Sequence, residues 1–485
     1  MIRKLHIVKV NFPGGIVPAG DLLSIAEAAQ TSAVRGLRFG GRQQLLLEVY
    51  SDKLGELTDA LETAALPFEV DADTHPNIVS SCVAEQVVYS SGWLKEGVYK
   101  DVLDAFDYQP RLSVNLVDQG QSFVPFDTGR LNFIASGIGN YWHLLVRVSA
   151  EGRLQEWPSL VYSGNIPKLV QRLEESLCDA VLLDHVYRDI MTSEQWTEQP
   201  IQEPLSFPDF ALPYYEGFNR YKDRLWLGIY RRDELFAPAF LKDLCQLCLQ
   251  TKVAQLYITP WKSLVIQGIA PKERKGWDIV LGRHGINVRH SLSELSWQVE
   301  DLSEEGLALK HYLVRQFDRD DVRTFGLCFA VQVETDTRLF GLVLIRKQPG
   351  SPRRKALDRY EILYREDFDV RSDAYILFRK DIEKENLGPY LKSLCKYFYE
   401  CKAGEDLIPH HAYRQKDGST AALVPPPETG IYACCHCQTV YDPVVGDPEA
   451  GIPVGTSFSI LDTYTCPMCG SDKTAFNPIE EAVIK

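Results

Sequence analysis

The sequence predicts an α+β protein: a duplicated body of mixed helices and strands, followed by a small C-terminal metal-knuckle domain. Three observations lead there. Residues 18–66 and 225–286 share one order of alternating strands and helices, two C-x-x-C pairs lie near the end of the chain, and a proline-rich stretch separates the two regions.

The elements follow in chain order. Apolar residues recur at helical spacing in PAGDLLSIAEAAQTSAV (18–34), RGLRFGGRQQLLLEVY (35–50) predicts a strand pair or bent strand, and DKLGELTDALETAAL (52–66) predicts a second helix. A second half opens with a strand and helix in 225–254, continues with the strand pair QLYITPWKSLVIQGI (255–269) and ends with a helix in GWDIVLGRHGI. This alignment sets Leu37 against Leu256 and Gln43 against Lys262. Residues 109–148 have a weaker partner in 320–347, extending the repeat. In DGSTAALVPPPETG (417–430) three consecutive prolines predict an extended, semi-rigid spacer at about 3 Å per residue. The expected divisions are 1–210 and 211–412 for the two halves, 413–430 for the linker and 431–485 for the terminal domain.

Composition excludes several classes. A net charge of -14 argues against nucleic-acid binding, which needs a basic face to displace counterions. No apolar run approaches the roughly 20 residues of a membrane span, and MIRKLHIVKVNFPGG lacks the features of a signal peptide, so a cytoplasmic chain without membrane insertion is expected. The 12 cysteines are scattered in a way that suits a reducing compartment better than a disulfide framework.

Four of those cysteines form two pairs, Cys434/Cys437 and Cys466/Cys469. Each C-x-x-C turn presents two thiolates to one point, and Gly470 suits the second turn because glycine tolerates positive φ. Four thiolates suit zinc or iron–sulfur chemistry, and spacing alone does not separate the two. The surrounding residues do. Tyr432, Tyr441-Asp442-Pro443, Gly446-Asp447-Pro448, Gly455-Thr456, Phe458, Cys466-Pro467-Met468-Cys469-Gly470, Lys473 and Phe476 closely resemble rubredoxin. The resemblance implies one iron ion, cycling between ferric and ferrous states, on Cys434, Cys437, Cys466 and Cys469, with Cys435 a bystander. Gln438, Thr439 and Tyr464 depart from the family pattern without removing a ligand.

The body resembles the ferredoxin-like half-domains of nitrite and sulfite reductases. THPNIVSSC (74–82) stands where that family carries an arginine–asparagine turn near its haem. Arg35, Arg38 and Arg42 in the first half, with Lys262, Arg289 and His290 in the second, are candidates to face each other across a pseudo-twofold. Of these, Arg38, Arg42, Lys262 and Arg289 are the candidate pocket for an oxyanion or a carboxylate-rich tetrapyrrole, with solvated surface charge as the alternative. The family holds a four-iron cluster on a C-x5-C pair followed by a C-x3-C pair. Here Cys395 and Cys401 give the first spacing and no C-x3-C follows, so no four-iron cluster is expected. A sirohaem is compatible with the basic residues but is likewise not expected.

These readings describe an electron-transfer protein rather than a stand-alone enzyme. Its body would dock redox protein partners, an electron donor and an acceptor, the latter of the nitrate, nitrite or sulfite reductase kind. Two alternatives stand beside it: a sirohaem-type reductase with a fused electron donor, and a zinc-braced interaction protein.

Overall fold

The computed structural model describes residues 4–87, 92–121, 123–124, 127–149, 152–177, 182–205, 207–291, 293–334, 339–348, 358–372 and 374–406 of the body. In the C-terminal region it describes 431–436, 439–441, 443, 447, 450, 452, 456–461, 463–468 and 470–479, so the predicted linker lies outside the described residues. The chain divides into two compact units, 1–408 and 409–485.

The first unit opens with β1 (Leu5–Val10), β2 (Ile16–Pro18), α1 (Ala19–Thr31), β3 (Leu37–Phe39), β4 (Leu45–Tyr50), α2 (Ser51–Thr63) and β5 (Phe68–Val70). Strands β3-β4-β1-β5 make an antiparallel sheet in that order. Leu22, Ile25, Ala26 and Ala29 of α1 are spaced to share one helix face, and all four are fully buried. The chain then builds a second sheet from β6 (Val79–Ser80), β7 (Val114–Val117), β8 (Leu131–Ala135), β9 (Tyr141–Arg147), β10 (Leu154–Glu156), β11 (Ser159–Tyr162) and β12 (Glu198–Pro200). Its order is β12-β11-β9-β8-β7-β6, with β10 on β9. Helices α3 (Ala84–Val87), α4 (Glu96–Asp104), α5 (Ile166–Ser176) and α6 (Leu183–Ser193) accompany it.

The plan then repeats. Strands β13 (Gly217–Tyr221) and β14 (Arg224–Ile229), helix α7 (Pro238–Gln250), strands β15 (Gln255–Ile258) and β16 (Leu264–Ile269) and helix α8 (Arg274–Arg283) correspond to the opening unit. Next come β17 (Trp297–Val299), α9 (Glu304–Arg319), β18 (Phe329–Gln332), β19 (Val343–Lys347), β20 (Arg359–Arg365), β21 (Tyr375–Glu383) and α10 (Lys384–Asp406). Both larger sheets begin with three parallel strands, β6-β7-β8 and β17-β18-β19, and turn antiparallel at the next strand.

The repeat is visible in the backbone itself. Gly15 and Glu234, Ala33 and Lys252, and Gln43 and Lys262 stand at one constant interval, and all six have φ between 52° and 70°. The two halves also exchange pairings. Val17 of β2 pairs with Leu256 of β15, while Phe236 and Leu37 form the reciprocal bridge, with N–H to carbonyl distances of 2.9 and 2.8 Å. Pro18, placed at the start of a helix by periodicity, instead ends β2, whose partner strand belongs to the other repeat. One apolar core lies among α1, α2, α7, α8 and the smaller sheets; another joins the larger sheets of both halves, with Phe133, Trp142, Trp297 and Phe329 in it.

Candidate metal centre

The C-terminal unit is organised by one short strand. Strand β22 (Ile431–Cys434) pairs with β23 (Val440–Tyr441) on one side and β24 (Phe476–Ile479) on the other. So small a domain buries little surface, and it concentrates that burial in rings. The Phe458 ring centroid lies 4.4, 5.1, 5.6 and 5.3 Å from those of Tyr432, Tyr441, Tyr464 and Phe476. The tyrosine hydroxyls stay satisfied: Tyr441 donates to Thr456 O at 2.8 Å and Tyr464 to Asp447 Oδ2 at 2.7 Å. Lys473 Nζ donates to Ser459 O at 3.1 Å and to Leu461 O at 2.6 Å, above the Phe458 ring.

Two loops leave this cluster in the same way. Cys434 N–H donates to Thr439 O at 2.8 Å, and Cys466 N–H donates to Ser471 O at 2.7 Å. The second loop also has Gly470 N–H on Cys466 O at 2.8 Å, with Gly470 at φ 73° as its turn requires. Cys434 and Cys466, the first cysteine of each pair, are buried, whereas Cys435 is exposed and its N–H is held by Ala475 O at 2.8 Å. Cys437 and Cys469 lie outside the described residues. The described half of the donor set thus offers two buried sulfurs on matched loops, which fits a thiolate-bound metal.

Residues 431–476 match the family model described as Rubredoxin. Over 49 residues the chain is 47% identical to Rubredoxin-2 of Chlorobaculum tepidum, covering 10% of this chain and 94% of that protein. Through this domain the chain belongs to the rubredoxin family. The rubredoxin domain also relates it to larger proteins. It is 49% identical over 86 residues to the high molecular weight rubredoxin of Moorella thermoacetica, covering 17% of this chain and 35% of that protein. Against the anaerobic nitric oxide reductase flavorubredoxin of Pectobacterium atrosepticum, identity is 43% over 53 residues, or 11% of this chain and 10% of that one. The chain therefore spans about a third of the first and a tenth of the second. In front of the rubredoxin domain, the body has the predicted nitrite/sulfite-reductase type of fold. The structure of the Mycobacterium tuberculosis NirA protein matches at a TM-score of 0.62 and 14% identity, over 82% of this chain and 81% of that one. That likeness is one of fold alone.

The structure brings two of the four candidate pocket residues together. Arg42 and Lys262, each in a hairpin turn of one half, line a cleft of about 270 Å³. Arg38 does not line it; its guanidinium donates to Asp233 O at 2.8 Å and pairs with Glu304 Oε1 at 2.6 Å. Arg289 is exposed and also outside the lining. Arg42 is turned inward, with Nη2 donating to Asn77 O at 2.7 Å and Val114 O at 3.0 Å. Burial lowers its pKa to about 10, against the pull of Asp73 and Asp301. Lys262 Nζ is held by Glu234 Oε2 at 3.0 Å, Val299 O at 2.9 Å and Asp301 Oδ1 at 3.2 Å. Burial alone would lower its pKa; Glu234 and Asp301 outweigh that and keep it raised.

Asp73, Glu300, Asp301 and Glu334 line the same cleft. Asp73 and Glu334 are exposed and Glu300 is buried, so the cleft sets acids of differing exposure beside two cations that are already engaged. Sequence reasoning missed these acids because they come from three separate stretches with no shared motif. Cys245 and Cys248 of α7 and Cys395 of α10 are buried core residues, Cys401 is half-buried, and burial pushes the thiols of Cys245 and Cys395 up to about 12.

Proposed function

We propose that this chain is a one-electron carrier. Its rubredoxin domain holds one iron on Cys434, Cys437, Cys466 and Cys469, and its body, two halves at 1–210 and 211–412, docks a redox partner of nitrate, nitrite or sulfite metabolism. The observation that carries the reading is the pair of matched loops with Cys434 and Cys466 buried against an aromatic cluster. When bound, a tetrahedral thiolate-held iron supplies a reversible one-electron couple.

The chain's own residues set the conditions for that couple. The loop-closing N–H groups of Cys434 and Cys466 fix the backbone that carries two of the four sulfurs, and would hold these two in place for a bound iron. The rings of Phe458, Tyr441 and Tyr464 exclude water on the inner side. On the outer side Val440 and Met468 are 51% and 67% exposed, which leaves an apolar approach beside the loops for a partner's cofactor. Seven acidic residues against two basic ones from Ile431 onward direct the domain toward a basic surface.

Absorption spectroscopy and metal analysis of anaerobically purified protein test the proposal. Thiolate-to-iron bands bleached by dithionite, with one iron per chain, are expected. A colourless chain with tightly bound zinc, or a Soret band, refutes it in favour of an interaction protein or a sirohaem reductase respectively.

A further inference from the structure

The cleft of the body contains the parts of an anion site with a carboxylate already seated in it. Asp301, just after β17, reaches across to the turn between β3 and β4 of the other half. Gly41 N–H donates to its Oδ1 and Oδ2 at 3.0 and 3.2 Å, and Gln44 Nε2 donates to its Oδ2 at 3.0 Å. Lys262 Nζ completes the set, 3.2 Å from Oδ1. A backbone N–H, a side-chain amide and an ammonium converging on two oxygens is how proteins hold small oxyanions.

The fit depends on local backbone features. A Cβ at Gly40 would lie 2.6 Å from Asp301 Oδ2, so the absence of a side chain there admits the carboxylate. Lys262 sits in its hairpin turn at φ 56°, the position that Gln43 occupies at φ 58° in the first half. The repeat thus puts two equivalent turns beside one another, and Asp301 bridges them.

We infer that this cleft is an anion site occupied in cis by Asp301. The native chain consequently takes neither a small oxyanion nor a tetrapyrrole carboxylate there, and deleting the Asp301 carboxylate opens the cleft to nitrite, formate or a similarly small oxyanion. The inference concerns the body alone and stands apart from the electron-carrier proposal, which the colour of the iron domain tests.

Thermal unfolding of the full chain followed by tryptophan fluorescence provides the test, because all 8 tryptophans lie in the body. Native protein and Asp301→Ala are compared in chloride, formate, nitrite and sulfite at equal ionic strength. The native Tm should not distinguish among the anions. That of Asp301→Ala should fall in chloride and recover saturably, by a few degrees, in formate or nitrite; Asp301→Asn, whose amide still fills the space, should recover less. Absence of any recovery beyond the chloride value overturns the inference. Should Asp301→Ala fail to fold, the native chain still decides it: saturable stabilisation by nitrite or sulfite, or retention of added sirohaem through gel filtration, overturns the inference, and indifference to both supports it.

Discussion

Removing the carboxylate of Asp127 should destabilise the body severely, because that group joins its two halves at a buried ion pair. Asp127, between β7 and β8 of the first half, pairs with Arg365 at the end of β20 in the second, and their side chains are 6% and 3% exposed. Burial works against the Arg365 charge, but Asp127 and Tyr375 outweigh it and hold the pKa above its ordinary value. Arg147, ending the corresponding strand β9, donates to the backbone carbonyl of Asp127 at 3.0 Å, so both related arginines converge on one residue. Breaking a buried pair from one side costs about 3–5 kcal/mol. In Asp127→Ala, Arg365 keeps the carbonyls of Gly341, Val370 and Ser372 at 3.2, 2.8 and 3.0 Å, which places the expected loss near the lower end, about 3 kcal/mol. Arg365→Met should cost more, since it strands the carboxylate and deprives the carbonyls of Val370 and Ser372 of their donor, while Gly341 O keeps the Tyr375 hydroxyl at 2.8 Å. The double variant should fall well short of the sum, with a coupling energy of up to about 3 kcal/mol. Urea unfolding followed by tryptophan fluorescence measures all three. A loss below about 1 kcal/mol for Asp127→Ala, the value of an exposed pair, would refute the reasoning.

Three further outcomes are expected. Cys466→Ser should abolish the native visible spectrum and Cys435→Ser should leave it nearly unchanged; loss of colour in the second overturns the ligand assignment. Tyr464→Phe strips Asp447, 8% exposed, of a 2.7 Å hydrogen bond, and should lower the stability of the rubredoxin domain by about 1–3 kcal/mol, read as earlier thermal bleaching. Asp320 tests pH dependence: hydrogen bonds from Arg319 and Lys392 pull its pKa down to about 2. A folded-state pKa below the unfolded value of about 3.9 means that its contribution is present above that value and lost as pH falls toward 2. The stability difference between native protein and Lys392→Ala should therefore shrink across that window, and a difference that ignores pH contradicts the pairing.

What was legible in the sequence was local. Helices α1, α2, α7 and α8 follow from 3.6-residue periodicity. The equivalence of Gln43 and Lys262 follows from constant spacing, and their shared positive φ reflects the same turn made twice. The two knuckles also lie within short stretches: each loop closes by a hydrogen bond between residues five apart, Cys434 to Thr439 and Cys466 to Ser471. What was not legible depends on residues that meet only after folding. Three residues of β2 give no periodic signal, and their pairing with β15 arises from the association of the two halves. Arg38 and Arg42 are near neighbours in sequence, yet one meets Glu304 and the other turns inward to Asn77 and Val114.

The same distinction separates the body's fold from the chemistry of its cleft. A fold survives substitution wherever apolar pattern and turn geometry persist, which is how a TM-score of 0.62 coexists with 14% identity to NirA. The charge of a cleft has no such protection, since it is the sum of side chains delivered by distant segments. Asp73, Glu300, Asp301 and Glu334 alter that sum without disturbing a strand. Asp301 goes further than adding charge, because its oxygens take up the donors of Gly41, Gln44 and Lys262 that an external anion would need. A single carboxylate placed this way retains the architecture and the interface between halves while closing the site to anions, so the fold alone is a poor guide to what the body binds.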